Sequence, residues 1–423
     1  MQNAWQRRPR TTVPVATARG PAPDVAMILL NNSGVGGAER RFAQVYRRLK
    51  RRGVPISLII NESLLGRLRQ GAILTEEDEP ALVIREPMGR IADRLWGPRM
   101  VRNVRVSGRN ADKGMGVSAA FWCRKLDYVT ACLTVRRWLV KCRPQLMHVI
   151  LGGAYVALPA QWFGGAPPAV VSVVCPSLRG TVGAALGCHL YRSALRRARM
   201  VDALTDDVAT MARREGVPAG RVRVSPGSCV DTDRFSPQAL RKPWVVFSGR
   251  FIDEKNPALF VEACALVHER VPEARFFMFG EGPLHAAIQE LVCSHKLEER
   301  FEIGWSLQVE AVLSEALVFA SLQHTDNYPS QALLEAMACG TAIVATDVGL
   351  TWKLVNEAVG FRVKPSPVSV AGAITTLLED RSLAASLGRR ARDRVIGLHS
   401  MEAYADYLEN LYAETATVAK QRK

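Results

Sequence analysis

The sequence lacks the cysteine pattern of a disulfide-stabilised secreted protein. Nine cysteines are spread over 423 residues, and none forms a Cys-x-x-Cys pair. This distribution predicts reduced, mostly buried thiols in a cytoplasmic protein, and it contains no spacing suited to a zinc centre. No recognised RNA- or DNA-binding motif is present, and aromatic residues make up only 7% of the chain. A nucleic acid partner is therefore not expected.

The sequence also lacks an uninterrupted apolar run that would predict a membrane span. Residues 144–178 include no charged side chain, but glycines and prolines interrupt them repeatedly. Because a spanning helix needs about 20 consecutive apolar residues, we predict two buried strands joined by a loop and a short helix. Residues 1–24 carry four arginines without the apolar core of a signal peptide, which predicts a flexible basic tail.

Acidic residues are scarce in the first half of the chain. Residues 1–242 hold 39 Lys and Arg against 17 Asp and Glu, whereas residues 243–423 hold 17 against 23. The segment 85–143 alone holds 14 basic and 4 acidic residues, so it should attract an anionic surface or ligand. Residues 129–143 mix Leu, Trp and Val with Arg and Lys, as an interfacial helix would. A helix that packs on its own domain gives the same pattern.

Both halves repeat the order of apolar strand, glycine loop and amphipathic helix. Apolar strands are predicted at 25–30 in the first half and at 316–321 and 342–347 in the second. Strands that alternate with helices indicate an α/β fold with parallel sheets. The length indicates more than one domain, and polar and proline residues at 236–243 mark a boundary.

The segment "SGRFIDEKNP" (248–257) places two cations between a strand and a helix. Asn256 is expected to cap that helix and Pro257 to occupy its first position. Lys255 then lies where free N–H groups already favour anions, and Arg250 can bind phosphate oxygens with two hydrogen bonds. The alternative is a pair of solvated cations near a helix start.

Two further segments combine glycines or carboxylates with a helix start. In "SGVGGAE" (33–39), Gly36 and Gly37 would let the backbone approach a ligand, although the spacing is not that of the dinucleotide fingerprint. In "TDNYPSQALLEAMACGTAIVATDVGL" (325–350), a helix should begin near Ser330, with Asp326 before it and Glu335 on an early turn. Two carboxylates there could bind sugar and ribose hydroxyls. The alternative is a capping Asp and an exposed Glu.

Taken with these three segments, the chain resembles the glycosyltransferase group 1 (family 4) superfamily over nearly its whole length. The motifs that carry the resemblance occur in the family's order: "GVGGAER", "VSPGSCVDTDRFSP", "VFSGRFIDEKN", "FGEGPL" and "LLEAMACGTAIVATDVG". The resemblance implies a GT-B fold, in which two Rossmann-like domains with parallel sheets face a central cleft. It also implies transfer from a nucleotide-diphosphate sugar with retention of configuration.

The resemblance implies a division of labour along the chain. Residues 25–240 form the acceptor-binding domain, residues 241–398 form the nucleotide-sugar-binding domain, and residues 399–423 form a helix that packs back towards the first domain. The expected reaction moves a hexosyl unit from a UDP- or GDP-sugar to a glycan or lipid-linked acceptor in cell-envelope polysaccharide biosynthesis. The protein would work in the cytoplasm at the inner face of the cell membrane, in peripheral contact with anionic lipid.

The resemblance also assigns roles to individual residues. Arg250 and Lys255 match the pair that holds the donor diphosphate, Asp326 stands near the family's first acidic position, and Glu335 matches the ribose-binding Glu. Because no Asp-x-Asp motif lies near the Arg250 loop, the two cations would take the place of a metal ion, and no metal or cofactor is expected beside the donor. The remaining residues assigned to substrate binding are Gly36, Gly37, His148, Gly280, Gly282, Ser330 and Gln331.

Departures from the family pattern leave alternatives open. Eight residues separate Asp326 from Glu335 where the family has seven between two Glu, and His324 is another possible polar contact. His148, which follows an apolar run, is either a cleft residue or a hydrogen-bonded core residue. A nucleotide-sugar epimerase of the same fold would convert the donor without an acceptor. A non-catalytic partner subunit would bind the nucleotide without hydrolysing the donor.

Overall fold

Two parallel β-sheets with helices on both faces organise the chain. The structure is a computed structural model, and it describes residues 22–30, 37–96, 115–151, 153–164, 166–174, 185–304 and 309–420. The predicted α/β class with parallel sheets is confirmed, because every strand pairing in the two sheets is parallel.

The N-terminal domain is built on a sheet in the order β3-β2-β1-β4-β5-β6-β7. Its strands are β1 (Val25–Leu30), β2 (Ile56–Asn61), β3 (Leu82–Ile84), β4 (Leu146–Leu151), β5 (Ala169–Val173), β6 (Met200–Ala203) and β7 (Val222–Val224). Its helices are α1 (Gly37–Arg51), α2 (Glu62–Gln70), α3 (Pro87–Trp96), α4 (Met115–Cys142), α5 (Gly153–Trp162), α6 (Ala185–Arg197) and α7 (Asp206–Arg214).

The C-terminal domain is built on a sheet in the order β10-β9-β8-β11-β12-β13. Its strands are β8 (Lys242–Ser248), β9 (Arg275–Phe279), β10 (Phe301–Gly304), β11 (Ala316–Ser321), β12 (Ala342–Thr346) and β13 (Gly360–Val363). The helices of this half are α8 (Pro257–Arg270), α9 (His285–Ser294), α10 (Val309–Glu315), α11 (Gln331–Ala338), α12 (Pro367–Glu379), α13 (Arg381–Leu398) and α14 (Met401–Lys420).

The central strands are apolar on both faces because helices cover both faces of each sheet. All six residues of β1 and all six of β11 are buried, as expected for parallel sheets. The uncharged stretch at 144–178 supplies β4, α5 and β5, which agrees with the prediction of two strands and a short helix. Among the described helices, none combines the length and the apolar character that crossing a bilayer requires.

The strand order puts a crevice at the carboxyl edge of each sheet. In the C-terminal domain the chain leaves β8 towards β9 on one side, and β11 later pairs with the other side of β8. Loops that follow two such strands diverge, and ligands of open α/β sheets bind in the gap between them. The loops after β8 and β11 therefore border the candidate site.

The chain crosses between the domains twice, and the two crossings are hydrogen-bonded to each other. The Val230 N–H donates to the His399 carbonyl (2.9 Å), and the Met401 N–H donates to the Val230 carbonyl (3.0 Å). After the second crossing, α14 packs on α1, β4 and β5. Its buried Tyr404, Leu408 and Tyr412 belong to the core of the N-terminal domain. The last helix of the chain thus completes the first domain.

Candidate donor-binding site

The loop at 249–256 lies at the carboxyl end of β8 and is held from two sides. On one side, the Gly249 N–H donates to the Phe279 carbonyl (2.9 Å) and the Phe251 N–H donates to the Glu281 carbonyl (3.0 Å). On the other, the His324 N–H donates to the Glu254 carbonyl (3.1 Å). The loop is therefore fixed between the turn after β9 and the loop after β11.

Gly280 and Gly282 are glycines because this loop packs directly on them. A methyl group at Gly280 would lie 1.9 Å from the Gly249 carbonyl oxygen, and one at Gly282 would lie 2.3 Å from the Phe251 carbonyl oxygen. Any side chain at either position would push the loop away. The sequence prediction gave both glycines a backbone contact with the nucleotide. The contact that the structure records is with the loop that carries Arg250.

Lys255 and Arg250 occupy different environments on this loop. Lys255 is partly buried, and its stem passes Gly249, where an added methyl group would be 3.8 Å from its Cγ. Arg250 is exposed. Burial, together with the nearby charge of Arg250, lowers the pKa of Lys255 to about 8. The alternative of two solvated cations thus fails for Lys255, and the two charges lie close enough to repel each other.

The helix start after this loop is only partly as predicted. Pro257 does occupy the first turn of α8. Asn256 precedes it but makes no side-chain capping hydrogen bond, and its backbone is left-handed with φ 51°. Asparagine tolerates this conformation better than most residues. Asn256 therefore stands at the predicted N-cap position, but its side chain does not supply the expected capping hydrogen bond.

Asp326 joins the loop after β11 to the loop after β12. Its Oδ1 accepts hydrogen bonds from the Tyr328 N–H (3.2 Å) and the Leu350 N–H (3.0 Å). A methyl group at Gly349 would lie 2.3 Å from the Asp326 Cβ, so only glycine fits there. The carboxylate is exposed, and the two hydrogen bonds that it accepts hold it between these loops. Its predicted contact with the transferred sugar stays a prediction.

Glu335 lies on α11, near α1 and near the segment 228–234, which carries the first crossing between the domains and is called the linker below. Its Oε1 accepts from Gln331 Nε2 (3.1 Å). Burial raises the pKa of Glu335 to about 7, against the lowering effect of this hydrogen bond and of Arg234 and Arg40. Arg40 belongs to α1 of the N-terminal domain and Arg234 to the linker. Glu335 is partly buried, so the alternative of an exposed helix residue does not hold.

Gln331, at the start of α11, is occupied by protein contacts, and Ser330 precedes it. Gln331 accepts from Ser228 Oγ (2.6 Å) and donates to the Cys229 carbonyl (3.3 Å), which ties α11 to the linker. Ser330 is the residue before the helix, is buried and makes no capping hydrogen bond through its side chain. Their predicted substrate contacts stay predictions.

His148 is a core residue, and its assignment to the cleft is wrong. The side chain has no exposed surface. Tyr412 lies 2.7 Å from Nδ1, and Ser172 Oγ lies 2.7 Å from Nε2. Ser172 in turn donates to Asp202 (2.5 Å). Because Ser172 uses its proton on Asp202, it must accept from His148, which places the imidazole proton on Nε2. Burial lowers the pKa of His148 to about 3.

The described residues include only part of the glycine loop of the N-terminal domain. Gly36 lies outside the described residues. Gly37 is the first residue of α1, and a methyl group there would meet no atom within 4 Å. The space beside this helix start is open, and Arg40 follows in the first turn of the same helix.

The structure also brings to the cleft residues that the sequence analysis missed. Lys353 Nζ, in the C-terminal domain, lies 2.7 Å from Asp206 Oδ2 at the start of α7 in the N-terminal domain. The same ammonium lies 5.4 Å from the centre of the Tyr328 ring. Lys353 stands in none of the motifs that carry the resemblance, and only the folded arrangement of the domains reveals its place.

Potential metal ligands near the linker have other partners. Asp231 and Asp233 form an Asp-x-Asp sequence, but Asp231 Oδ1 accepts from the Asp233 and Arg234 N–H groups, and Asp233 pairs with Arg48. Among the described residues, no group of three or more His, Cys, Asp or Glu is arranged to hold a metal ion.

The two-domain arrangement is that of GT-B glycosyltransferases. The chain is similar to the crystal structure of Anabaena Alr3699/HepE in complex with UDP, with a TM-score of 0.66 over 92% of this chain and 100% of that one. Sequence identity in this comparison is 14%, so the likeness establishes the fold alone. The predicted GT-B architecture is confirmed.

The C-terminal part of the chain is similar in sequence to known glycosyltransferases. Residues 230–394 match the family of glycosyl transferases group 1. It is 29% identical over 168 residues to a component of the phosphatidylinositol N-acetylglucosaminyltransferase of Arabidopsis thaliana, covering 38% of this chain and 37% of that protein. It is 27% identical over 191 residues to 2-deoxystreptamine N-acetyl-D-glucosaminyltransferase of Niallia circulans, covering 44% and 49%. The matched part thus spans less than half of these curated relatives.

Proposed function

We propose that the protein is a retaining glycosyltransferase that moves a hexosyl unit from a UDP- or GDP-sugar to a glycan or lipid-linked acceptor. The observation that carries the proposal is the partly buried Lys255 beside Arg250 at the carboxyl end of β8. Two cations placed near each other at the crevice of a parallel sheet are unfavourable unless an anion joins them. A nucleoside diphosphate has the charge and the size to do so.

The same two cations supply the chemistry of the proposed transfer. Breaking a sugar–phosphate bond increases the negative charge on the departing diphosphate. Fixed cations aimed at that charge stabilise the transition state more than the bound donor, which accelerates the step. In this proposal they take the role that a divalent metal has in other enzymes, and the donor phosphate accepts the proton of the acceptor hydroxyl.

The acceptor side of the proposal is supported by the N-terminal domain and by relatives. This half of the chain is strongly basic, which favours acceptors carried on anionic lipid or anionic glycan. The relative from Arabidopsis thaliana is named for transfer to phosphatidylinositol, and the one from Niallia circulans for transfer to 2-deoxystreptamine. The acceptors named for these two relatives differ widely. The proposed function of this protein therefore depends more on its donor-binding half than on its acceptor-binding half.

The test compares Lys255→Ala with Lys364→Ala. Lys364 is an exposed cation of the same domain, so its replacement matches the change of charge. Binding of UDP and GDP is measured by calorimetry, and donor hydrolysis is followed with EDTA present. Lys255→Ala should lower hydrolysis by about 100- to 1000-fold, as expected for loss of one group that stabilises developing charge. Lys364→Ala should match the wild type.

Other results would favour the other functions. Conversion of the donor to its epimer without an acceptor would identify an epimerase. Nucleotide binding without any donor turnover would identify a non-catalytic partner. Wild-type turnover by Lys255→Ala would remove the basis of the proposal, and loss of turnover in EDTA would contradict the metal-free step.

A further inference from the structure

The outward face of α4 exposes a row of large apolar side chains. Leu126, Val129, Leu133 and Val140 are 57%, 55%, 51% and 42% exposed. Their spacing places them on one side of the helix. The opposite side, with Ala131, Cys132, Val135 and Leu139, is buried in the core of the N-terminal domain. The exposed row spans about 20 Å at 1.5 Å per residue.

Cations border this apolar row, and Asp127 is the last acidic residue of its helix. Arg137 and Lys141 are exposed on the same helix, and no Asp or Glu occurs from residue 128 to residue 143. The Asp at position 127 is buried and accepts a hydrogen bond from the Met88 N–H at the start of α3 (3.1 Å). No negative charge on this segment thus opposes the cations.

Helix α3 extends the same surface towards the carboxyl edge of the sheet. It packs against α4, and Met88 and Ile91 are 37% and 44% exposed. The residue before α3, Glu86, accepts hydrogen bonds from Asn61 Nδ2 (3.0 Å) and the Ser63 N–H (3.2 Å) at the end of β2. The start of α3 therefore lies at the edge of the sheet that faces the cleft, and Leu126 lies near it.

We propose that the exposed face of α3 and α4 binds the surface of an anionic phospholipid bilayer. Apolar side chains flanked by Arg and Lys match the boundary between acyl chains and anionic headgroups. A face that ends near the cleft would hold a lipid-linked acceptor within reach of the donor site. The proposal rests on the proposed function for this last statement alone, because binding to vesicles does not require transfer.

The experiment measures co-sedimentation of the full chain with vesicles. The vesicles consist of phosphatidylcholine alone or of phosphatidylcholine with phosphatidylglycerol. The test variant is Leu126→Ser with Leu133→Ser. The matched control is Leu240→Ser with Val368→Ser, whose side chains are 79% and 74% exposed in the second half of the chain. The arginines of the N-terminal segment are present in every variant and do not affect the comparison.

The wild type should sediment with the anionic vesicles and not with phosphatidylcholine alone. The Leu126 and Leu133 variant should bind about tenfold more weakly, whereas the control should match the wild type. Replacing both Arg137 and Lys141 by Gln should weaken binding by about fivefold per charge, and salt should weaken the wild type. Equal sedimentation of the test variant and the wild type would overturn the proposal.

Two additional measurements separate this proposal from its rivals. Binding of UDP and GDP by every variant should be unchanged, and vesicle binding without binding of either nucleotide would defeat the proposed function while leaving the membrane surface intact. Light scattering without vesicles gives the oligomeric state. A dimer that the Leu126 and Leu133 variant dissociates would assign the surface to a second copy and overturn the bilayer proposal.

Discussion

The two domains share a strand order but differ in the contacts that hold them together. In both, the first strand of the sheet lies between the second and the fourth, as in β3-β2-β1-β4 and β10-β9-β8-β11. In the C-terminal domain, short glycine turns after β8 and β9 interlock through Gly249 and Gly280. In the N-terminal domain, a buried polar chain joins His148 to Tyr412, more than 250 residues away.

This difference explains why the sequence predicts the candidate site of the C-terminal half better than the surroundings of His148 in the N-terminal half. The donor half builds its candidate site from contacts between loops that each carry a recognisable motif. The acceptor half depends on α14, which reaches it only after the chain has crossed the second domain. Three predictions follow the order from the largest expected effect to the smallest. They test whether the loops of the C-terminal domain determine donor binding and transfer, and whether the contacts of α14 in the N-terminal domain determine stability.

Replacing His148 by Ala should destabilise the protein without affecting the donor. The change leaves a cavity and removes the partners of Tyr412 and Ser172, which together should lower the free energy of unfolding by about 3 to 4 kcal/mol. Urea denaturation measures this loss. Calorimetry should give an unchanged affinity for UDP, because His148 is buried away from the cleft.

The pH dependence of stability gives an independent check on His148. Its folded pKa of about 3 lies below the ordinary value of 6.5, so the unfolded chain binds the extra proton between these values. The contribution of His148 is therefore complete above pH 6.5 and is lost as the pH falls below it. The His148→Ala variant should therefore lack this loss of stability between pH 6.5 and pH 3. A weaker affinity for UDP in a folded variant would instead restore His148 to the substrate site.

Gly280→Ala should reduce transfer by displacing the Arg250 loop. The added methyl group would lie 1.9 Å from the Gly249 carbonyl oxygen, so the loop must move. A small displacement of a catalytic group lowers the rate by about 100-fold, which initial-rate measurements would detect. Gly372→Ala is the control, because a methyl group there meets no atom within 4 Å. Full activity of Gly280→Ala would mean that the loop position does not matter.

Particular residues show what the sequence could and could not predict. The parallel sheets, β1 at Val25–Leu30 and Pro257 at a helix start follow from local apolar runs and backbone preferences, which act over a few residues. His148 was assigned to the cleft because the residues around it do not reveal its partners. Its neighbours Tyr412 and Asp202 come from distant segments, and such contacts are set by tertiary packing.

Donor binding should weaken at alkaline pH because Lys255 loses its proton. The pKa of Lys255 in the free protein is about 8, and a bound diphosphate raises it, so binding is accompanied by proton uptake. Affinity for UDP should therefore be highest below about pH 8 and should fall by up to about tenfold per pH unit above it. The nucleotide itself is fully ionised in this range, since the second phosphate pKa is about 6. Calorimetry at several pH values measures the slope.

Two variants decide whether this slope belongs to Lys255. Lys255→Arg keeps its charge throughout the range and should show no fall in affinity, because the guanidinium does not deprotonate. Lys364→Ala retains Lys255 and should show the same slope as the wild type. An equal slope in Lys255→Arg would assign the proton to another group. It would also remove the distinction between Lys255, a partly buried cation of the C-terminal domain, and the many exposed cations of the N-terminal one.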